Sequence, residues 1–213
     1  MIIAILGAGG MTGERLIVEA LKRGHDVIGI ARTPANIKGD AARVTRRAGD
    51  AFDRASVIAG LAGADAVITT VGKRDLLDKR VNLNTAAHQN VIDGMRRHGI
   101  KRLVAISSFG AALDFTRPGL RRKIYLYLRR AYYGDMQAME RMVLGAGLDG
   151  VVVRSPMLYN TPARGAFEIE HDRNIPGGRT LSREDLAAFC LDCVEKPDHV
   201  GHVVSVAYER EAR

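Results

Sequence analysis

A glycine-rich turn between an apolar run and a helical pattern is the feature that most constrains the fold of this chain. Residues 1–6 have the composition of a short buried strand, and the string GAGGMTG at 7–13 follows at once. A strand that reverses into a helix within so few residues needs a position without a Cβ atom, which glycine provides. A helical pattern continues to about Arg23, and a second apolar run ends at Arg32. This order predicts the first strand, helix and strand of an α/β sheet.

The glycines of this turn have the spacing GxxGxxG, which indicates an anion site. Gly7 permits the tight turn, Gly10 lets the backbone approach a pyrophosphate, and Gly13 lets the helix pack closely against the strand. The exposed backbone amides of this string, which includes Met11 and Thr12, and the positive end of the following helix attract phosphate. We therefore expect a dinucleotide site, with a glycine-rich turn that binds no ligand as the alternative.

The end of the second strand indicates which dinucleotide is preferred. NAD-binding proteins place a carboxylate there to accept hydrogen bonds from the ribose hydroxyls, whereas this chain has Arg32 and Thr33. A guanidinium beside a hydroxyl suits a 2′-phosphate, and Lys38 in the following loop adds positive charge. These residues favour NADP(H) over NAD(H), and a surface arginine without a ligand is the alternative.

The rest of the chain alternates between strand and helix patterns. Further strands are predicted at 43–48, 66–70, 102–107 and 150–154, an edge strand at 201–206, and helices at 53–61, 81–98, 119–144 and after Ser182. This order predicts a Rossmann-type α/β fold, a doubly wound and mainly parallel sheet with helices on both faces. We expect residues 1–213 to form a single NAD(P)-binding domain, with a small substrate-side region at about 155–213.

Ligands of such a sheet bind outside the carboxyl ends of its strands. Asp50 follows the third strand and is predicted to accept a hydrogen bond from the adenine, with helix capping as the alternative. Val71 and Gly72 follow the fourth strand and are expected to lie beside the cofactor ribose. Ser107 and Ser108 end the fifth strand, where the nicotinamide is expected.

Four further residues near these strand ends are expected to form the substrate pocket. They are Phe109, Arg154, Met157 and Tyr159. Ordinary core packing is the alternative for Phe109 and Met157. Residues 161–179 are expected to form a loop, which is either a lid over the substrate or irregular surface.

The chain carries a net charge of +8, which favours anionic ligands. Part of this charge lies in a basic segment, residues 117–130, where arginines alternate with tyrosines. This segment is either a solvated helix face, a rim that attracts an acidic substrate, or a contact surface for a partner protein. No motif of a nucleic-acid-binding fold accompanies it, so no specific nucleic-acid partner is expected.

Other features of the sequence disfavour membrane and metal-dependent proteins. No apolar run reaches the roughly 18 residues that span a bilayer, and no basic region precedes the apolar start as in a signal peptide. We expect a cytoplasmic protein without membrane contact, as a monomer or weak homodimer. No metal site is expected, since His199 and His202 lack a third ligand nearby. Cys190 and Cys193 are interpreted as core residues of the last helix.

Six strings together resemble a known family over nearly the whole chain. They are GAGGMTG, IART, GD at 49–50, TTVG, VAISSFGA and LSREDLA. The chain is similar to the atypical short-chain dehydrogenases, and most similar to the NmrA-like branch that includes the flavin reductase and biliverdin reductase B type. The resemblance implies that the glycine loop binds pyrophosphate, Arg32 the 2′-phosphate and Asp50 the adenine, and that Ser108 lies beside the nicotinamide.

The chain departs from the wider dehydrogenase pattern at its acid–base pair. Those enzymes use a tyrosine with a lysine four residues later, but none of Tyr125, Tyr132 and Tyr133 is followed by such a lysine. This absence disfavours alcohol dehydrogenation and sugar epimerisation, and it agrees with the flavin reductase branch. Met157 stands where biliverdin reductase B has a pocket histidine, which disfavours biliverdin as the substrate.

Two functions from different classes follow. The first is NADPH-dependent hydride transfer to a planar acceptor such as a flavin or a quinone, with Ser108 as a hydrogen-bond donor beside the reacting rings. The second is a non-catalytic sensor of NADP(H) that acts through a protein partner at the basic segment. A third reading, an epimerase or ketoreductase with a displaced catalytic tyrosine, requires one of the three tyrosines to reach the nicotinamide.

Overall fold

This computed structural model describes residues 1–72, 82–112, 124–125 and 127–209. Strands and helices alternate through most of these residues. The strands are β1 Ile2–Leu6, β2 Asp26–Ala31, β3 Val44–Ala48, β4 Ala66–Thr69, β5 Arg102–Ser108, β6 Asp149–Ser155, β7 Met157–Tyr159, β8 Glu168–His171, β9 Thr180–Ser182 and β10 Val203–Ala207. The helices are α1 Met11–Lys22, α2 Arg54–Leu61, α3 Leu83–His98, α4 Arg130–Leu144 and α5 Arg183–Glu195.

Eight of these strands form one sheet, in the order β3-β2-β1-β4-β5-β6-β10-β8. All neighbouring pairs are parallel except β10 and β8. The chain runs outward from β1 to β3 and then returns to the other side of β1 with β4. This reversal creates a crevice at the carboxyl ends of β1 and β4, where open α/β sheets bind their ligands. The predicted doubly wound, mainly parallel sheet is confirmed.

The residues of β1 divide the core between the two faces of the sheet. Ile3 and Ile5 belong to a buried cluster that includes residues of α1 and α5. Ala4 and Leu6 point to the opposite face and belong to a cluster that includes residues of α2, α3 and α4. Such a strand is buried on both sides, which explains its continuous apolar composition. Helices therefore cover both faces, as predicted.

The prediction of an edge strand at 201–206 is wrong in one respect. The strand exists as β10, but it lies inside the sheet, with Val204 paired to Val153 of β6 on one side and to His171 of β8 on the other. The edge is formed by β8, whose polar sequence EIEH was interpreted as loop. An edge strand with both outer surfaces near solvent needs few apolar residues, so its pattern is weak.

Some predicted features lie outside the described residues. The residues that are not described are 73–81, 113–123, 126 and 210–213. They include the start of the predicted 81–98 helix and most of the basic segment. Within the described part, the predicted 119–144 helix is seen as α4 from Arg130 onward. No helix among the described residues is both long enough and apolar enough to cross a membrane.

The region after β6 is fixed to α5 by one carboxylate. Asp185, in the first turn of α5, accepts hydrogen bonds from the backbone amides of Arg164 and Gly165 at 2.8 and 3.0 Å. It also accepts hydrogen bonds from the hydroxyls of Ser182 and Tyr208. These bonds hold the first part of the loop at 161–179, which the sequence left open as a mobile lid or irregular surface.

Candidate functional site

A cavity of about 690 Å³ opens at the crevice where the strand order reverses. Its walls come from the carboxyl ends of β1 to β4 and from the starts of α1, α3 and α5. The lining residues are Leu6, Gly7, Gly9, Gly10, Met11, Thr12, Ile30, Ala31, Arg32, Thr33, Asn36, Gly49, Asp50, Ala51, Phe52, Thr70, Val71, Gly72, Leu83 and Arg183. Nine of the eleven cofactor residues that the sequence suggested line this cavity; Gly13 and Ser107 do not.

The glycine loop has a conformation that larger residues cannot adopt. Gly7 has a φ of +94°, and a Cβ atom there would lie 2.3 Å from the Thr70 hydroxyl. A Cβ atom on Gly13 would lie 2.4 Å from the carbonyl oxygen of Gly7, so this glycine permits the close contact between α1 and the loop. Gly10 is the N-cap of α1 and provides no side-chain cap. The first amides of α1 therefore remain available to an anion at the cavity.

Arg32 and Thr33 line the cavity just beyond β2. Among the described residues, Arg32 donates no hydrogen bond and forms no salt bridge, so its guanidinium is available to a ligand. Lys38 does not share this position, because its ammonium group bonds Glu14 of α1 at 3.0 Å. Of these two cations, Arg32 is therefore the one that provides positive charge beside the end of β2.

Asp50 and Phe52 line the cavity beyond β3. The Asp50 carboxylate accepts a hydrogen bond from the backbone amide of Phe52 at 3.1 Å. The cap of α2 is instead Asp53, whose carboxylate accepts from the amides of Ala55 and Ser56. Asp50 is thus not the α2 cap, and its role toward adenine stays a prediction.

Several lining residues were not identified from the sequence. They include Asn36, Phe52, Thr70, Leu83 and Arg183. Thr70 was within the quoted TTVG string and Arg183 within LSREDLA, so both carried a signal that was not used for the site. Asn36 and Leu83 lie in segments without a motif, and only the folded chain places them at the crevice.

Ser107 lies outside the cavity, in a buried polar network. Its hydroxyl donates to Glu140 of α4 at 2.6 Å, and Arg154 of β6 bonds the same carboxylate at 2.8 and 2.5 Å. Arg154 is only 7% exposed, so its guanidinium serves this network and has little surface for a ligand.

The other predicted nicotinamide-side and pocket residues lie at the ends of β5 and β6, where Ser108 pairs in register with Ser155. The Ser108 hydroxyl accepts a hydrogen bond from the amide of Gly110 at 3.3 Å, at the turn that follows β5. Met157 and Tyr159 of β7 are 65% and 45% exposed, and the Tyr159 hydroxyl contacts the Met157 sulfur at 3.1 Å. The structure thus puts two exposed apolar side chains beyond β6.

Phe109 belongs to the short turn after β5. Its carbonyl oxygen accepts a hydrogen bond from the Asn174 side chain at 2.8 Å, which ties this turn to the loop at 161–179. Phe109 thereby sits between the strand end and the C-terminal region.

Tyr133 lies close to this part of the sheet but is bonded internally. Its hydroxyl is 3.2 Å from that of Tyr125, and its ring packs so tightly on Gly110 that a Cβ atom there would lie 2.1 Å from the ring. Burial raises the pKa of Tyr133 well above its ordinary value, and the contact with Tyr125 raises it further. A phenol of raised pKa is a poor proton carrier at neutral pH.

Two remaining sequence features concern metals and thiols. No group of three histidine, cysteine, aspartate or glutamate residues within the described ranges is placed to hold a metal ion. Cys190 and Cys193 are buried in α5, and burial raises the pKa of the Cys190 thiol.

The chain is similar in sequence to several curated proteins. The chain is 26% identical over 227 residues to an uncharacterised chloroplastic protein of Arabidopsis thaliana, covering 99% of this chain and 78% of that protein. It spans between 15% and 57% of the length of seven other curated proteins that it matches.

Two solved structures are similar over their full length. The anaerobilin reductase ChuY of Escherichia coli O157:H7 has a TM-score of 0.80 at 23% identity, with 100% of this chain and 99% of that chain covered. A short-chain dehydrogenase/reductase of Veillonella parvula in complex with NADP has a TM-score of 0.82 at 18% identity, with 99% and 95% covered.

The sequence model of the NAD(P)H-binding family matches residues 7–197. This match begins at the first glycine of the loop and ends just beyond α5, so it includes all of the lining residues from Gly7 onward. The resemblance to atypical short-chain dehydrogenases is confirmed. The chain belongs to the NAD(P)H-binding family, and it shares its Rossmann fold with the Veillonella parvula short-chain dehydrogenase/reductase and with ChuY.

Proposed function

We propose that this protein is an NADPH-dependent reductase that transfers hydride to a planar acceptor, such as a flavin or a quinone. The observation that supports it is the cavity that both the glycine loop and Arg32 line, with no partner for the Arg32 guanidinium in the described part of the chain. NADPH supplies the hydride in such a reaction, and the protein binds, orients and shields the two rings.

Each wall of the cavity has a proposed role. The free amides of α1, beside Met11 and Thr12, bind the pyrophosphate. Arg32 and Thr33 bind the 2′-phosphate through a charged pair and a hydroxyl. Further proposed contacts are made by Asp50 to the adenine and by Val71 and Gly72 to the ribose.

The acceptor is proposed to bind beyond β5 and β6. Ser108 donates a hydrogen bond there, while Phe109, Met157 and Tyr159 provide apolar surface for a flat ring. Arg154 contributes indirectly, because its bonds to Glu140 hold the ends of these strands in place.

The proposed acceptor class is supported by the missing tyrosine–lysine pair and by the lack of a suitable substitute tyrosine among the described residues at these strand ends. Tyr133 is bonded to Tyr125 and its pKa is raised, which makes it a poor substitute for the missing tyrosine–lysine pair. Flavins and quinones tolerate this lack, since their reduced forms take protons from solvent. A displaced catalytic tyrosine is correspondingly disfavoured.

NADPH consumption by the purified protein tests the proposal directly. It is measured by absorbance with and without FMN, FAD and a small quinone, together with binding titrations of NADPH and NADH. We expect acceptor-dependent oxidation and tighter binding of NADPH. Tight NADPH binding without turnover of any acceptor would contradict a reductase and favour the cofactor sensor.

Arg32→Ala is expected to weaken NADPH binding by about 1.5–3 kcal/mol, the value of a charged hydrogen bond, and to change NADH binding little. Isothermal titration with both cofactors checks this expectation. Lys38→Ala is the matched control, because that ammonium group already pairs with Glu14. Equal losses for NADPH and NADH would exclude a contact between Arg32 and the 2′-phosphate.

Ser108→Ala is expected to lower turnover while NADPH affinity stays nearly unchanged, because the hydroxyl is proposed to act only beside the reacting rings. Steady-state rates of this variant, and of Ser108→Thr as the variant that keeps a hydroxyl, provide the comparison. An unchanged rate would leave the Ser108 hydroxyl with its observed structural role, as acceptor for the Gly110 amide.

A further inference from the structure

Arg183 is the lining residue that comes from the C-terminal part of the chain. Every other lining residue of the cavity lies before position 84, whereas Arg183 is the first residue of α5. Its side chain reaches the cavity from the region of β7 and β9, outside the βαβ units that form the rest of the wall.

The contacts of Arg183 place its guanidinium near the glycine loop. Its Nη1 donates to the carbonyl oxygen of Leu158 at 3.1 Å and to the side-chain oxygen of Asn160 at 2.9 Å. The amide nitrogen of Asn160 in turn contacts the sulfur of Met11, the first residue of α1, at 3.6 Å. Asn160 therefore links Arg183 to the end of α1 that carries the free amides.

The charge of Arg183 lacks an opposite charge within the described part of the protein. Its Nε atom is buried without a hydrogen-bond partner there, and none of the salt bridges among these residues includes Arg183. The adjacent Glu184 is 3.7 Å from Arg15 instead. Burial, and then the nearby charge of Arg15, lower the pKa of Arg183 from its ordinary value.

A buried N–H group without a partner costs free energy unless a ligand accepts its hydrogen bond. The free amides and the dipole of α1 provide only about half a positive charge. A pyrophosphate carries more negative charge than that, so a further cation beside the start of α1 would balance more of its charge.

We propose that Arg183 binds the pyrophosphate of the cofactor and completes the anion site that the glycine loop begins. This inference rests on the proposed function, because it assigns a residue to the same NADPH site. Since Nη1 already holds Leu158 and Asn160, the guanidinium would use its remaining N–H groups for the phosphate. The bound cofactor is thereby connected to the 157–160 segment on the acceptor side.

The experiment separates the two ends of the cofactor with three ligands. NADPH contains both the 2′-phosphate and the pyrophosphate, ADP-ribose contains only the pyrophosphate, and 2′-AMP contains only the 2′-phosphate. Each is titrated into the wild type, Arg183→Ala and Arg32→Ala. We expect Arg183→Ala to weaken NADPH and ADP-ribose by about 10- to 150-fold and to leave 2′-AMP unchanged. Arg32→Ala should weaken NADPH and 2′-AMP and leave ADP-ribose unchanged.

Two further variants are controls. Arg15→Ala removes a neighbouring cation that is already close to Glu184, and we expect ADP-ribose binding to change by less than about 3-fold. Arg183→Lys keeps the charge but loses the forked geometry, so partial recovery of ADP-ribose binding is expected. Unchanged 2′-AMP binding shows that the Arg183→Ala site is folded.

The outcomes distinguish this inference from the proposed function. Wild-type protein that does not bind NADPH would overturn both. NADPH and ADP-ribose affinities that Arg183→Ala leaves unchanged would overturn the inference alone. Loss of 2′-AMP binding in parallel with ADP-ribose would also overturn it, because it would assign a structural role to Arg183.

Discussion

A single buried carboxylate joins three elements of the protein. Glu140 of α4 accepts hydrogen bonds from Ser107 of β5 and from Arg154 of β6, and the ion pair is almost fully enclosed, with 9% of the Arg154 and 3% of the Glu140 side chain exposed. The removal of two charges from water is costly, so such a pair does not by itself prove a stabilising effect. Its consequence is that removal of one partner leaves the other as a buried charge without a counter-charge.

Arg154→Met is expected to lower the free energy of unfolding by about 3–5 kcal/mol, because Glu140 would remain buried without its counter-charge. Urea denaturation at neutral pH measures the loss. The double variant Arg154→Met/Glu140→Leu removes both charges and is the matched control, from which we expect substantial recovery. A loss below about 1 kcal/mol in the single variant would show that water reaches the carboxylate.

At the scale of elements, two glycines in helices have opposite surroundings. Gly13 of α1 contacts the backbone of Gly7 and Ala8, where a Cβ atom would lie 2.4 to 2.9 Å from its neighbours. Gly134 of α4 has no atom within 4 Å of such a Cβ atom. The same substitution should therefore have opposite effects on the two helices.

Gly13→Ala is expected to lower the free energy of unfolding by about 1–3 kcal/mol, as overpacking does, and to weaken NADPH binding. Gly134→Ala is expected to raise the free energy of unfolding by about 0.5–1 kcal/mol, because alanine loses less backbone freedom than glycine when a helix forms. Thermal unfolding of both variants provides the comparison. Stabilisation by Gly13→Ala would contradict the close contact between α1 and the loop.

The elements that could be predicted from the sequence are those with local signals. The β1–α1–β2 unit combines an apolar run, a glycine spacing and a helical period, and it was predicted nearly to its ends. The polar strand β8 was missed, and β10 was placed at the edge, because their pairing depends on partners more than 30 residues away. Arg183 lies within the LSREDLA string, but that string does not show that the pairing of β7 with β9 places this residue beside the cavity.

At the scale of the whole molecule, a buried histidine makes stability depend on pH. His88 of α3 bonds the Thr69 hydroxyl and the Asn84 carbonyl oxygen, both at 2.8 Å. Burial lowers the pKa of His88 below its ordinary value of 6.5. The unfolded chain therefore binds a proton near pH 6.5 that the folded protein does not, so this contribution to stability is present above 6.5 and is lost as the pH falls toward the lower folded pKa.

Unfolding free energies between pH 7.5 and 5 check this dependence, which for one group amounts to at most about 1.4 kcal/mol per pH unit. The His88→Gln variant is expected to be less stable overall but to show a shallower fall with decreasing pH. Equal slopes for His88→Gln and wild type would assign the pH dependence to other groups.

The position of β10 between β6 and β8 has a consequence for the order in which the chain is made. The strand β6 pairs with β5 on one side, but its other side stays unpaired until residues 203–207 have been synthesised. A ribosome releases the chain from its N-terminus, so a growing chain carries an open sheet edge at β6 until those residues emerge. Such edges pair readily with other chains. A pause in synthesis before β10 therefore leaves β6 with an unpaired edge, which favours aggregation.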